Sequence, residues 1–242
     1  MRNREQSIST PWVKESLFGI WFLGTYTWIR SVLRRALNDL VRLMPNELKT
    51  NSTILDIGYG HGHSIWLLDE FFKPEKIIAL DIDPNAAERA KENIKRCDCN
   101  VELLHSDAAF IDLADETVDM IFCHQTFHHL VNQERAMDEF FRVLKPGGVL
   151  LFAESCRRYI YSWSIKLLFR HPMHVQKTDL EYIALIKSSG FIIKPEYISR
   201  PFLWWSLADL GLLSYFRLTA KEIQGEREET MVNLVAYKPL DN

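Results

Sequence analysis

The sequence predicts an α/β fold: a doubly wound, mostly parallel sheet of seven strands, with an N-terminal helical cap and aromatic-rich inserts. Three observations carry this. Between residues 51 and 155 short apolar runs alternate with amphipathic segments. The runs are continuous rather than period-two, as expected of parallel strands covered on both faces and joined by helical crossovers. The first of them, ILDI, leads directly into the glycine-spaced loop GYGHG and then a helical segment, the arrangement that presents backbone amides to a ligand.

Each element has its own signal. Residues 1–50 read as a helical cap, with Ile29, Leu33, Leu37, Leu40 and Leu43 recurring at three-to-four spacing until Pro45 and the polar KTNS stretch close it. The remaining residues, 51–242, read as one domain. TILDI is a strand, HSIWLLDEFF a helix, KIIALDI a second strand, and PNAAERAKENIKR a helix with Pro84 suited to its first turn. VELLHSD and TVDMIFCH are the third and fourth strands. NQERAMDEFFRVL is a helix with Ala136, Met137, Phe140, Phe141 and Leu144 on one face, broken by KPGG before the fifth strand, VLLFAE. Two inserts follow, at about 156–175 and 201–219. Between them TDLEYIALIKSSG forms a helix and FIIKPEYIS a strand, and MVNLVAYKP supplies the last strand.

Composition narrows the function. The chain has 242 residues, 47% of them hydrophobic and 25% charged, with a net charge of −3. No basic field draws it to nucleic acid. Four cysteines without a CxxC pair fit free thiols in a reducing compartment, the cytoplasm. MRNREQSIST lacks the apolar run of a secretory signal. The uncharged stretch at residues 16–29 falls short of the roughly 20 residues that span a bilayer. The arginines that close it, Arg30, Arg34 and Arg35, leave a membrane-surface role open.

The glycine loop is the strongest local clue. Gly58, Gly60 and Gly62 let the backbone approach a ligand closely. A dinucleotide fingerprint, G-x-G-x-x-G, would place its third glycine where His63 stands, which disfavours a nicotinamide-dependent oxidoreductase. Asp56 precedes the loop and suits a cationic ligand. Asp81 ends the second strand, where a carboxylate can hold both hydroxyls of a ribose.

These residues resemble the class I S-adenosylmethionine-dependent methyltransferases, in particular the methyltransferase type 11 kind that includes the ubiquinone and menaquinone C-methyltransferases. ILDIGYGHG is similar to the family's D-x-G-x-G-x-G motif through Asp56, Gly58, Gly60 and Gly62, with Tyr59 between them. ALDIDP, HSDAA, DMIFCHQTFHHL and FFRVLKPGGVLLFAE resemble its later motifs in order. The resemblance implies a Rossmann-like methyltransferase fold and S-adenosylmethionine as cofactor, with S-adenosylhomocysteine as product. It further implies Asp81 on the ribose, Ile82 beside the adenine, Asp107 on the adenine amino group, the Ala108 amide at the ring, and His124 near the methionine end. An S-adenosylmethionine-binding protein that does not transfer the methyl is the non-enzymatic alternative.

No side chain is required as a catalyst, because the cofactor carries the reactive methyl and alignment can supply roughly 7–11 kcal/mol. His128 and His129 are the candidates for a general base, weighed against a purely structural role. His61 and His63, inside the loop, lack a matching carboxylate pattern, so no metal ligand is assigned. Trp12, Trp21, Trp28, Trp163, Trp204 and Trp205 all fall in the cap or inserts, on the side expected to cover the substrate. They predict a hydrophobic small-molecule, lipid-like or quinone-like acceptor, or simply cap packing. Arg157, Arg158, Lys166 and Arg170 among them suit contact with anionic headgroups. Oligomeric state is not legible.

Overall fold

The computed structural model describes residues 12–45, 52–201 and 228–240. Seven strands form one sheet in the order β3-β2-β1-β4-β5-β7-β6. They are β1 (Thr53–Ile57), β2 (Lys76–Asp81), β3 (Asn100–His105), β4 (Val118–His124), β5 (Leu144–Ser155), β6 (Ile198–Ser199) and β7 (Met231–Tyr237). The first five are parallel, and β7 runs antiparallel to both β5 and β6. The order reverses between β1 and β4. That switch point leaves a crevice at the carboxyl ends of the strands.

The helices are α1 (Leu17–Leu23), α2 (Tyr26–Trp28), α3 (Arg34–Leu43), α4 (His63–Phe72), α5 (Ala86–Ile94), α6 (Gln133–Val143), α7 (Arg157–Ile160), α8 (Trp163–Leu168) and α9 (Asp179–Ser188). A π-helical turn, Ile29–Leu33, joins α2 to α3. Successive strand residues feed opposite faces. Leu55 and Ile57 of β1 join a core with Met137 and Phe140 of α6 and Tyr182 and Ile186 of α9. Ile54 joins a second core with Leu37 and Leu40 of α3 and Ile65 and Leu68 of α4. Both faces of β1 are buried, so that strand can be apolar throughout. Helix α9 starts at a capping box in which Thr178 and Glu181 satisfy each other's backbone amides.

Three expectations change. Among its described residues the 1–50 cap has two parts: α3 is built into the helical layer over β5 and β7, with Asn233 donating to Asp39 at 2.9 Å, and the stretch before α3 lies over the crevice. KPGG does not precede β5 but lies within it. It forms an irregularity where pairing with β4 shifts between Val118 and Met120, and Gly147 takes φ +75°. FIIKPEYIS is not a continuous strand. Ile192 makes a single bridge to Tyr237, Pro195–Tyr197 forms a 3₁₀ turn, and two residues of β6 remain, because Pro195 has no amide to give a ladder. The 201–219 insert lies outside the described residues beyond its first residue. No helix among the described residues is long and apolar enough to cross a membrane.

Candidate active site

A cavity opens over the carboxyl ends of β1, β2 and β4. Its lining includes Asp56, Gly58, Tyr59, Gly60, Asp81, Ile82, Asp107, Ala108 and His124, nine of the ten residues expected to meet a cofactor. The tenth, Gly62, stands behind it.

The three glycines prove to have different reasons. All take positive φ. A Cβ on Gly58 would fall 2.3 Å from the Thr126 side chain, and one on Gly62 would fall 2.8 Å from Ala90 of α5. At those two positions it is protein, not ligand, that excludes a side chain. A Cβ on Gly60 would meet nothing within 4 Å. Only there is the backbone bared to the cavity itself.

Carboxylates ring this loop. Asp56 is buried at the end of β1, where the Ser64 hydroxyl donates to it at 2.5 Å. Burial raises its pKa to about 7, against the opposing Ser64 bond and helped by nearby Asp81. Asp81 accepts the Gly60 amide on one oxygen and the Asp83 amide on the other, both at 2.8 Å, so it clamps the glycine loop to the turn after β2. Its pKa is also raised by burial, with those two amides opposing. Asp107 accepts the Ala109 amide at 2.9 Å, which fixes the turn after β3.

His124, the last residue of β4, packs between Phe122 and Trp28, with ring centroids at 5.9 and 5.7 Å. Burial, then the nearby His128, lowers its pKa to about 3, so the ring is neutral. Its Nε2 is buried and has no hydrogen-bond partner among the described residues. Such an orphan costs about 1–3 kcal/mol unless a bound molecule satisfies it.

The histidines of the sequence divide into separate sets. His61 and His63 stack 5.9 Å apart, and Asn93 of α5 donates to the His61 carbonyl at 2.8 Å and contacts His63 Nδ1 at 3.1 Å. His61 also abuts Gly24, so the pair ties the loop to α5 and to the cap. His128 is buried and turned from the cavity, its Nδ1 bonded at 2.6 Å to Glu154. His129 lines the cavity, and burial, then His128 and His171, lowers its pKa well below the usual value. A neutral imidazole of such low basicity is a poor general base at neutral pH.

Several site residues escaped sequence reasoning. Glu154, fully buried in β5, accepts the Thr126 and Phe127 amides at 2.8 and 2.7 Å and holds the turn after β4. A lone acid at the end of the apolar run VLLFA was the available signal. Gln125 in that turn takes φ +52°, and Ser155 donates to it at 2.5 Å. Ile20, Leu23, Leu130 and Val131 complete the apolar wall beside Trp12 and Trp28, which the sequence places on this side. Of the tryptophans placed in the cap and inserts, Trp12 and Trp28 reach the cavity, Trp21 and Trp163 face outward, and Trp204 and Trp205 lie outside the described residues. None of the four cysteines lines the cavity.

A seven-stranded sheet with this order, a glycine loop at its switch point and acidic residues closing β1 and β2 are the features of a Rossmann-like methyltransferase fold. The comparisons support that class: residues 55–152 match the model of the methyltransferase domain. A methyltransferase-like protein of Schizosaccharomyces pombe is 34% identical over 116 residues, which is 48% of this chain and 43% of that one. The malonyl-[acyl-carrier protein] O-methyltransferase of Methylococcus capsulatus is 37% identical over 100 residues, 41% of this chain and 36% of its own. The aligned part thus spans less than half the length of these curated relatives. Others are named for phosphoethanolamine and arsenite methylation. An Aquifex aeolicus S-adenosylmethionine-dependent methyltransferase shares the fold, with TM-score 0.63, 20% identity, and coverage of 90% of this chain and 96% of that one.

Proposed function

We propose that this protein transfers the methyl group of S-adenosylmethionine to a hydrophobic small-molecule acceptor of lipid-like or quinone-like character. The observation that carries this is the two-sided cavity: glycine loop and carboxylates on one side, apolar cap on the other. When bound, the cofactor supplies an electrophilic methyl on a sulfonium. Asp81 would hold the ribose hydroxyls, Asp107 and the Ala108 amide the adenine edge, with Ile82 against its face. The bare backbone at Gly60 and the carboxylate of Asp56 would meet the cationic end, and the orphan Nε2 of His124 would gain a partner there. Trp28, Leu130 and Val131 would exclude water and seat the acceptor, so alignment rather than a side-chain base drives the reaction.

The relatives' differing substrates do not choose an acceptor; the apolar wall supports a hydrophobic one. A peripheral membrane contact fits the same reading. Helices α1 and α8 pack through Phe18 and Phe22 on Phe169, and turn outward Leu17, Trp21, Trp163 and Leu167, which are 86%, 64%, 63% and 74% exposed. Calorimetry with S-adenosylmethionine, S-adenosylhomocysteine and NAD tests the cofactor: binding of the first two and not the third is expected, and binding of NAD alone overturns the reading. Lipid and quinone extracts with a labelled methyl donor then test the acceptor. Label confined to water-soluble products would exclude the hydrophobic class, and cofactor binding with no labelled product would leave the non-transferring alternative.

A further inference from the structure

Three imidazoles from two separate elements meet beside the cavity, which one of them, His129, lines. His128 and His129 belong to the one-turn segment Phe127–His129 after β4, and His171 belongs to the insert beyond α8. One ring nitrogen of each lies within 4.8 Å of the others. The ring centroids are 4.3, 5.1 and 4.7 Å apart.

The surroundings hold these rings in a particular way. The Nδ1–H of His128 donates to Glu154, which leaves Nε2 with its lone pair free. Glu154 is itself fixed by the Thr126 and Phe127 amides. A carboxylate that orients an imidazole from behind is the usual support of a metal-bound histidine. Gln176 donates to the carbonyls of both His128 and Pro172, at 2.8 and 3.0 Å, and so ties the segment bearing His128 and His129 to the one bearing His171. His129 borders the cavity.

The geometry points to a site for a divalent cation of the zinc class, bound by His128, His129 and His171, with a fourth position left for an exchangeable ligand. Three protein nitrogens and one exchangeable position are the donor set of reactive zinc sites, and imidazole donors suit Zn²⁺ and its neighbours rather than Ca²⁺ or Mg²⁺. Nitrogens bound to one tetrahedral zinc at about 2.0–2.1 Å lie about 3.3–3.4 Å apart, so binding draws the rings together by up to about 1.5 Å. This site does not depend on the methyl-transfer reading.

The test uses tag-free, chelator-treated protein titrated with Co²⁺, a spectroscopic substitute for Zn²⁺. One equivalent should bind, with the visible absorption of a four-coordinate nitrogen site, and Zn²⁺ should displace it. His171→Ala should abolish the spectrum while S-adenosylmethionine binding, measured by calorimetry, is unchanged. Glu154→Gln should weaken the metal by roughly 10- to 100-fold. His105→Ala, away from the cluster, should leave it intact. Wild-type protein that takes up neither ion at micromolar concentration overturns the site, whatever the variants do. So does a spectrum that survives His171→Ala or is lost in His105→Ala.

Discussion

Asp56 shows how one buried carboxyl can couple fold, cofactor and pH. Its usual pKa of 3.8 rises to about 7 because burial disfavours the charged form. The native state therefore holds the extra proton between those values. The stabilisation is full below about pH 4 and is lost as pH rises through about 7. Asp56→Asn should flatten this slope, so thermal melts from about pH 5 to 8 should show wild type losing ground to the variant as pH rises. A cationic ligand reverses the preference. S-adenosylmethionine binding near pH 6 should release a proton, read by calorimetry in buffers of different ionisation enthalpy, and that release should vanish in Asp56→Asn; net uptake in wild type would show that the cationic group binds elsewhere. Asp81→Ala should lower cofactor affinity by roughly tenfold or more, since hydrogen bonds to charged groups contribute about 1.5–3 kcal/mol. Unchanged affinity would place the ribose wrongly. The three glycines separate structure from binding in the same way. Gly62→Ala, with φ +76° and Ala90 in the way, should cost about 2–5 kcal/mol of stability in denaturant melts. Gly60→Ala should cost less stability and more affinity.

At the scale of elements, α3 and the stretch before it have different duties although the sequence runs them together. Leu37 and Leu40 are fully buried against the sheet, so Leu40→Ala should cost about 2–5 kcal/mol in the unfolding midpoint. Trp28, nine residues before Leu37, is half-buried against His124 at the cavity. Trp28→Ala should therefore leave the melt nearly unchanged and weaken acceptor turnover; a large stability loss would make it a packing residue. The turn after β4 is likewise held from a distance. Glu154 on β5 fixes the backbone of Thr126 and Phe127 and the ring of His128, so it positions residues 25 or more places earlier in the chain.

For the whole molecule, the outward face shared by α1 and α8 sets how the cavity meets its surroundings. These helices are joined by the Ser16 hydroxyl donating to the Leu168 carbonyl at 2.6 Å and the Arg170 amide donating to Glu15 at 2.9 Å. Their other face exposes Trp21 and Trp163, with Lys166 beside Tyr161. Co-sedimentation with anionic vesicles at low salt should capture the protein, and the double change Trp21→Ser with Trp163→Ser should release it. No sedimentation of wild type would end the membrane proposal, while leaving the cofactor site untouched.

The sequence by itself determined the sheet, the order of its parallel strands' helices and the glycine loop, because those depend on local periodicity and on residues adjacent in the chain. ILDIGYGHG, Asp81 and Asp107 were legible for the same reason: each lies at or just past the carboxyl end of a strand. Where one segment served two ends, pattern misled. KPGG looked like a breaker and is an irregularity within a strand, and FIIKPEYIS looked like a strand that Pro195 mostly undoes. Only the tertiary structure decided that His61 and His63 tie the loop to α5 and the cap, that Gly58 and Gly62 make room for Thr126 and Ala90, and that His171 joins His128 and His129. Those are contacts between segments remote in sequence, and neither hydrophobic period nor motif spacing encodes which distant side chain will arrive.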